Sequence, residues 1–272
     1  MSRLILIWLL LLSIVQVNAQ QKDSAQTMKK FISICTKYRQ QVPLHLSMEY
    51  NSIANVITRA DDTANVTAEF YMVAKGAYMQ FGEMEEIVND SMALLVSGKM
   101  NRMFLYKDAQ PVIAQLKAAM GMQVQKSSVE EWCKKFEVYK KAIGSNESIE
   151  LISRNKLYNT NLFKESILMI YEASSMNPIE VVNLKRGLIR ISQDDYDHYN
   201  ADPLFAGKLY NISNAYYLVK EQKMMFTYKS INHNPGLALP VNIEDRIAKS
   251  NILNMIKYVP AKGFEKYVLT EE

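Results

Sequence analysis

Val66-Thr67-Ala68-Glu69-Phe70-Tyr71-Met72-Val73-Ala74-Lys75-Gly76-Ala77-Tyr78-Met79-Gln80-Phe81 is the stretch that decides the fold class. Val66, Ala68, Phe70, Met72 and Ala74 fall on every second position, the period of a strand with one buried face. Lys75-Gly76 is placed to turn the chain, and Ala77, Met79 and Phe81 carry the same period back. Upstream, Leu44, Leu46, Met48 and Tyr50 alternate with His45, Ser47, Glu49 and Asn51. Downstream, residues 86–89, 92–96 and 103–106 continue the series, with Asn89-Asp90-Ser91 and Ser97-Gly98-Lys99 as turns. The reading is an antiparallel meander of about six short strands.

Helical spacing surrounds this meander. Met28, Phe31, Ile32, Cys35 and Tyr38 predict an amphipathic helix before Pro43. Asp108 and Pro111 open a second helix with the apolar series Val112, Ile113, Leu116 and Met120. Ser127-Ser128-Val129-Glu130 has capping-box spacing, and Trp132, Cys133, Phe136, Tyr139 and Ile143 extend that helix to Gly144-Ser145-Asn146. Strands resume at residues 149–153, 165–173 and 179–191, the last two joined by a turn at Ser174–Pro178. A polar loop, residues 193–208, precedes strands at 216–219 and 224–231. Ile243, Ile247, Ile252 and Met255 predict a last helix, and Tyr267-Val268-Leu269 a closing strand. With no linker or repeat, residues 20–272 are expected to form a single α+β domain: a curved antiparallel β-sheet with helices on its concave face.

The first nineteen residues are of a different kind. Arg3 is the sole charge before Lys22, Leu4 to Val15 is apolar except for Ser13, and Val17-Asn18-Ala19 suits a signal peptidase. A cleaved secretory signal and a periplasmic mature chain are expected; the alternative is an uncleaved anchor, for which the apolar run is short. The remaining sequence has no second run long enough to span a bilayer. The net charge of +4 is slight and its lysines are scattered, which argues against nucleic acid as a partner. Cys35 and Cys133 are the two cysteines, and an oxidising compartment permits either a disulfide between them or two buried thiols.

Residues that carry chemistry are few. His45, His198 and His233 lie far apart, and no His-Glu-x-x-His, Gly-x-Ser-x-Gly or phosphate-binding glycine loop occurs. Asp194, Asp195, Asp197, His198 and Asp202 lack calcium-loop spacing and read as a solvated loop. Glu83, Glu85 and Glu86 read as a solvent-facing strand edge. The chain is therefore expected to be no enzyme, with no metal and no cofactor. Seven methionines from Met48 to Met103, interleaved with Phe70, Phe81 and Phe104, give an apolar surface of flexible side chains. Such a face suits acyl chains, and it equally suits a sheet packed on its own helices.

Several of these segments carry a family resemblance. Lys75-Gly76-Ala77-Tyr78-Met79-Gln80-Phe81, Ile87-Val88-Asn89-Asp90-Ser91, Leu105-Tyr106-Lys107-Asp108 and residues 163–187 resemble the hairpins and lid entry of the LolA/LolB-type lipoprotein carriers. Ser91 and Leu94 depart from that pattern. The resemblance implies an open half-barrel whose helices cover the concave side. It also implies an apolar cavity bordered by Met48, Phe70, Met72, Met79, Phe81 and Leu105. The implied function is a periplasmic carrier or sensor of a lipid or acylated lipoprotein; the alternative is a non-enzymatic envelope interaction protein that uses the fold without a ligand and pairs with other envelope proteins. Asp23-Ser24-Ala25, Asp62-Thr63-Ala64 and Asp90-Ser91-Met92 resemble the O-glycosylation triplet of exported Bacteroidetes proteins.

Overall fold

Alternation in the sequence becomes strand after strand in the computed structural model, which describes residues 23–37, 42–59, 62–114, 129–158, 160–252 and 255–272. Residues 1–22, and with them the signal segment, lie outside the described residues, as do Tyr38, Leu116 and Met120. The meander is β1 (Leu44–Ala54), β2 (Thr63–Val73), β3 (Gly76–Phe81), β4 (Met84–Asn89), β5 (Ala93–Ser97) and β6 (Arg102–Tyr106). Then come β7 (Phe136–Ile143), β8 (Asn146–Ser153), β9 (Lys164–Glu172), β10 (Pro178–Ile191), β11 (Leu209–Ile212), β12 (Ala215–Asn232), β13 (Ile247–Ile252), β14 (Met255–Pro260) and β15 (Val268–Glu271). Among the described residues the α-helices are α1 (residues 23–36), α2 (described over residues 110–114), α3 (Val129–Lys135) and α4 (Gln193–Asn200). Among the described residues thirteen strands belong to one hydrogen-bonded sheet, in which β2 to β6, β7 to β10, and β11 with β12 pair antiparallel and β15 pairs in parallel with β6; β13 and β14 form a separate hairpin.

The chain's contacts fall into two units. The first holds the described residues of Met1–Ile34, Ser52–Ala64 and Gln125–Met225. Its strands run in the order β12-β10-β9-β8-β7, with β11 paired to β12. Opposed residues in an antiparallel pair share a face. The register therefore puts Glu147, Ile149 and Leu151 of β8 on one side with Met169 and Tyr171 of β9 and Val181 of β10. Ile149, Leu151 and Tyr171 are fully buried there. Helix α1 is tied to the same strands: Lys30 Nζ lies 2.7 Å from Glu147 Oε2 and 4.9 Å from the Tyr171 ring centroid.

The second unit holds the described residues of Cys35–Asn51, Asn65–Val124 and Phe226–Glu272, in the strand order β15-β6-β5-β4-β3-β2-β1-β12. Both faces of its meander bury apolar side chains. On one face Tyr78, Ile87, Leu94, Val96, Met103 and Leu105 pack against Ile243 and Ile247 of the C-terminal segment. On the other, Leu44, Leu46, Met48, Ala68, Phe70 and Met72 pack with Met79, Phe81 and the β12 residues Phe226 and Tyr228.

Several expected elements differ. Residues 136–143, expected to extend the helix of Trp132 and Cys133, form β7 paired residue for residue with β8. Phe136 and Val138 fit a two-residue period just as Phe136 and Tyr139 fit a helical one, and Gly144 at φ +60° makes a hairpin turn rather than a helix stop. The last expected helix is instead a 3-10 turn, Ile243–Asp245, followed by the β13–β14 hairpin. Within the polar stretch 193–208, Ser192 caps α4 by accepting from the Asp195 amide. Residues 216–219 and 224–231 are parts of one 18-residue strand, β12. Gly76 is not the turn residue: Ala74 and Lys75 make the turn and Gly76 begins β3. A Cβ at Gly76 would stand 2.6 Å from the Val88 carbonyl oxygen, so glycine is needed for backbone approach. Asn89 makes its turn without glycine, its Oδ1 accepting from the Ser91 and Met92 amides.

Candidate functional site

The strand registers assemble an apolar face in the second unit. Phe70 opposes Met79, Ala68 opposes Phe81, Met79 opposes Glu86, Glu86 opposes Leu95, and Leu95 opposes Phe104. One face thus carries Met79, Phe81, Glu86, Leu95 and Phe104 in succession across β3 to β6. All five are half-buried, neither sealed in the core nor fully open. Towards β1 the same face deepens into the buried Met48, Phe70 and Met72. Tyr50 borders it, with ring centroids 5.8 Å from Phe81 and 5.0 Å from Phe226.

One end of this face is covered by α2. Asp108 caps that helix, its Oδ1 accepting from the Gln110 amide at 3.0 Å. Ala109, Val112 and Ile113 then pack on Ala77, Val88 and Ala93. Two of those three strand residues are alanines, and their small side chains let the helix backbone approach the sheet closely.

Of the six expected cavity residues, five share this face: Met48, Phe70 and Met72 buried, Met79 and Phe81 half-buried. Leu105 is on the opposite face, fully buried in the cluster beneath the C-terminal segment. The β5–β6 register explains this, because Leu105 opposes Leu94 whereas Phe104 opposes Leu95.

The acidic trio does not form a strand edge, since β4 lies between β3 and β5. Glu83 is in the exposed turn. Glu85 faces the C-terminal segment, where Arg246 grips it through Nε at 2.8 Å and Nη2 at 3.1 Å, and the Arg246 guanidinium stands 4.8 Å from the Phe264 ring centroid. Beside this pair burial raises the Tyr78 hydroxyl to about 12, with the Glu85 charge adding to the shift. Glu86 is on the apolar face between Met79 and Leu95, and burial pushes its carboxyl above the ordinary range. Alternation within β4 separates Glu86 from Glu85, and the Phe81–Met84 pairing puts Glu86 on the face of Phe81.

A histidine, a serine and a carboxylate also converge, without forming a nucleophile and base. His45 Nε2 and Ser47 Oγ both end on Glu69, at 2.7 and 2.5 Å, while Tyr71 stacks on His45 at 4.1 Å. A catalytic serine must reach the imidazole, and here both groups share the carboxylate instead. Cys35 and Cys133 stand as two thiols, the first buried and the second half-buried. Burial raises the Cys133 thiol despite the nearby Arg154 charge. Asp195 accepts from the hydroxyl of the α4 cap Ser192, and Asp202 caps the 3-10 turn Pro203–Phe205, its Oδ1 accepting from the Leu204 amide at 2.9 Å.

A concavity of about 850 Å³ lies in the first unit, where α1, α3 and β7 meet around Cys133 and Arg154. There Arg154 Nε donates to the carbonyls of Cys133 and Phe136, fastening the α3–β7 junction. Among the described residues no helix is long and apolar enough to cross a membrane. No family model matches the chain, and no curated protein matches it.

Proposed function

We propose that the mature chain is an exported, periplasmic, non-enzymatic protein that binds an acyl chain of a lipid or lipoprotein, as a carrier or envelope sensor. The observation that carries this reading is the half-buried series Met79, Phe81, Leu95 and Phe104 on one sheet face, with α2 over one end. Part-exposed apolar side chains gathered on one sheet face, here with Glu86 between Met79 and Leu95, offer a surface that a ligand or partner can cover. In this reading the sheet is an open half-barrel, its helices form the concave lid, and an acyl chain lies between. Each buried methylene then contributes roughly 0.8 kcal/mol. The lining differs from the one expected: Phe104 and Leu95 replace Leu105, and Met48, Phe70 and Met72 form the floor.

A second reading has its own support. Met48, Phe70 and Met72 are already covered by Phe226 and Tyr228 of β12, as in a sheet closed by its own side chains. On that reading the protein is an envelope interaction module without a ligand. Native mass spectrometry of the mature protein purified from the periplasm, followed by titration with a fluorescent fatty acid, separates the two. Co-purified lipid or saturable uptake supports the carrier; a lipid-free protein that takes up no probe overturns it.

A further inference from the structure

β7 ends the strand order of the first unit, so among the described residues no strand pairs with its outer edge. Its register with β8 decides which main-chain groups that edge presents. The Arg154 amide donates to the Lys135 carbonyl, and at the other end the two-residue turn Gly144-Ser145 closes on the pair Ile143–Asn146. Bonded pairs in an antiparallel ladder recur at every second residue, so Glu137, Tyr139 and Lys141 also bond towards β8. Val138, Lys140 and Ala142 therefore aim their N–H and C=O groups outwards, while the outward Phe136 carbonyl is taken by Arg154 Nε. Every residue from Tyr139 to Ile143 is exposed. Lysines commonly blunt such an edge. Here Lys140 is held by its own Glu147 at 2.8 Å, and Lys141 has no ion-pair partner among the described residues.

We propose that β7 pairs antiparallel with β7 of a second copy of this chain, about a two-fold axis at Tyr139. The outward groups allow only registers in which Phe136, Val138, Lys140 and Ala142 oppose one another. With Val138 opposite itself, Lys135 would face Lys141. With Lys140 opposite itself, two ammonium groups would meet at the axis, and centring on Glu137 or Lys141 opposes like charges in the same way. With Tyr139 at the axis, Val138 opposes Lys140 of the second copy on both sides, and each such pair exchanges two main-chain hydrogen bonds. Glu137 then faces Lys141 of the second copy, which gives that ammonium a carboxylate twice over. Glu137 can accept it: its Oε2 takes the Tyr139 hydroxyl at 2.7 Å, and its Oε1 has only Arg154 Nη1, at 3.8 Å. The two Tyr139 rings meet in a pair without hydrogen bonds, where facing side chains stand closest. This pairing does not rest on the acyl-binding reading.

Sedimentation velocity of the full mature protein over a dilution series should show a dimer that dissociates on dilution. Lys141→Glu puts like charges opposite one another on both sides of the axis and should raise the dimer dissociation constant about tenfold. Glu137→Lys/Lys141→Glu exchanges the two charges and should restore the dimer. Cross-linking reads the register directly. The Cα atoms of a pair without hydrogen bonds stand about 4.5 Å apart, within disulfide range, so Tyr139→Cys should yield a covalent dimer on mild oxidation. Two copies of residue 141 would lie roughly 14 Å apart along the strands, so Lys141→Cys should not. The wild type, with Cys35 and Cys133 alone, is the control for the native thiols. A protein monomeric at every concentration up to about 1 mM overturns the proposal. So does a dimer indifferent to Lys141→Glu, a charge exchange that leaves it weakened, or a Lys141→Cys variant that cross-links as readily as Tyr139→Cys.

Discussion

Lys220, the sixth residue of the 18-residue strand β12, places its Nζ 2.6 Å from both carboxylate oxygens of Asp62. Oδ2 of this nearly inaccessible carboxylate also accepts from the Thr58 and Arg59 amides and the Thr58 hydroxyl, while Oδ1 accepts from the Lys220 ammonium. The Lys220 ammonium and these donors hold its carboxyl far below the usual range, against the opposing effect of burial. The same polar run continues the pattern: the Glu221 amide donates to Asn55 Oδ1, and Gln222 Nε2 donates to Ser52 Oγ. These partners let the Lys-Glu-Gln-Lys stretch remain strand.

Lys220→Met should therefore be costly although it adds apolar surface. It leaves the Asp62 carboxylate buried without its counter-charge, a loss of about 3–5 kcal/mol in urea unfolding. The double variant Asp62→Leu/Lys220→Met should recover much of that loss. A Lys220→Met protein as stable as the wild type would mean the pair contributes nothing.

Acid should weaken the anchoring of α1. Lys140, Lys30 and the Tyr171 hydroxyl hold Glu147 down at about 2, from an ordinary 4.5. A depressed carboxylate contributes stability that is complete above its unfolded value and lost as pH falls towards its folded one. The contribution of Glu147, of the order of 2 kcal/mol after solvent screening, should disappear between pH 4.5 and about 2. Glu147→Gln should flatten that part of the stability–pH curve; a variant with the wild-type slope would show that other carboxylates govern it.

Gly76→Ala should destabilise by about 2–3 kcal/mol, because the new methyl must push aside the Val88 carbonyl and the Leu239 side chain. Gly144→Ala tests the contrasting case. Nothing stands within 4 Å of a Cβ there, so its cost should come only from the positive φ of the β7–β8 turn. Equal losses at the two sites, measured by thermal melting, would remove the distinction between approach and turn.

The meander was legible because its information is local: Leu44 to Tyr50 and Val66 to Phe81 alternate, and turns are written in Asn89-Asp90-Ser91 and Ser97-Gly98-Lys99. What was not legible depends on distant partners. Phe136-Glu137-Val138-Tyr139 satisfies both periods, and only pairing with residues 150–153 of β8 selects strand. Lys220–Lys223 looks like a loop until Asp62, Asn55 and Ser52 are brought alongside. At the candidate site, period two correctly grouped Met48, Phe70, Met72, Met79 and Phe81. It does not fix the face of Leu105, because a period-two count does not carry across the turn after Ser97, where a one-residue slip reverses every side chain.

Glu86→Gln should act in the opposite sense to Glu147→Gln. A carboxyl raised by burial favours its protonated form, so the folded state gains as pH falls and the cost of ionisation appears as pH rises through the shifted value. The variant should be more stable than wild type at pH 7, by less than about 1 kcal/mol for so accessible a group, and equal to it at pH 4. Identical melting temperatures at both pH values would show that Glu86 is fully solvated.

Acyl uptake should distinguish the two faces of the meander. Met79 and Phe81 are half-buried, so Met79→Asp and Phe81→Asp should leave the protein folded while placing a charge where an acyl chain would lie. Desolvating that charge on binding should cost at least about 1–3 kcal/mol, weakening a fluorescent fatty acid tenfold or more. Phe70→Asp and Leu105→Asp are not equivalent tests, because both side chains are buried in the core and a carboxylate there should unfold the unit. Phe104→Asp is on the ligand face and should resemble Phe81→Asp, although its neighbour Leu105 does not. Uptake that survives Met79→Asp, Phe81→Asp and Phe104→Asp in folded protein would remove this face as the acyl site.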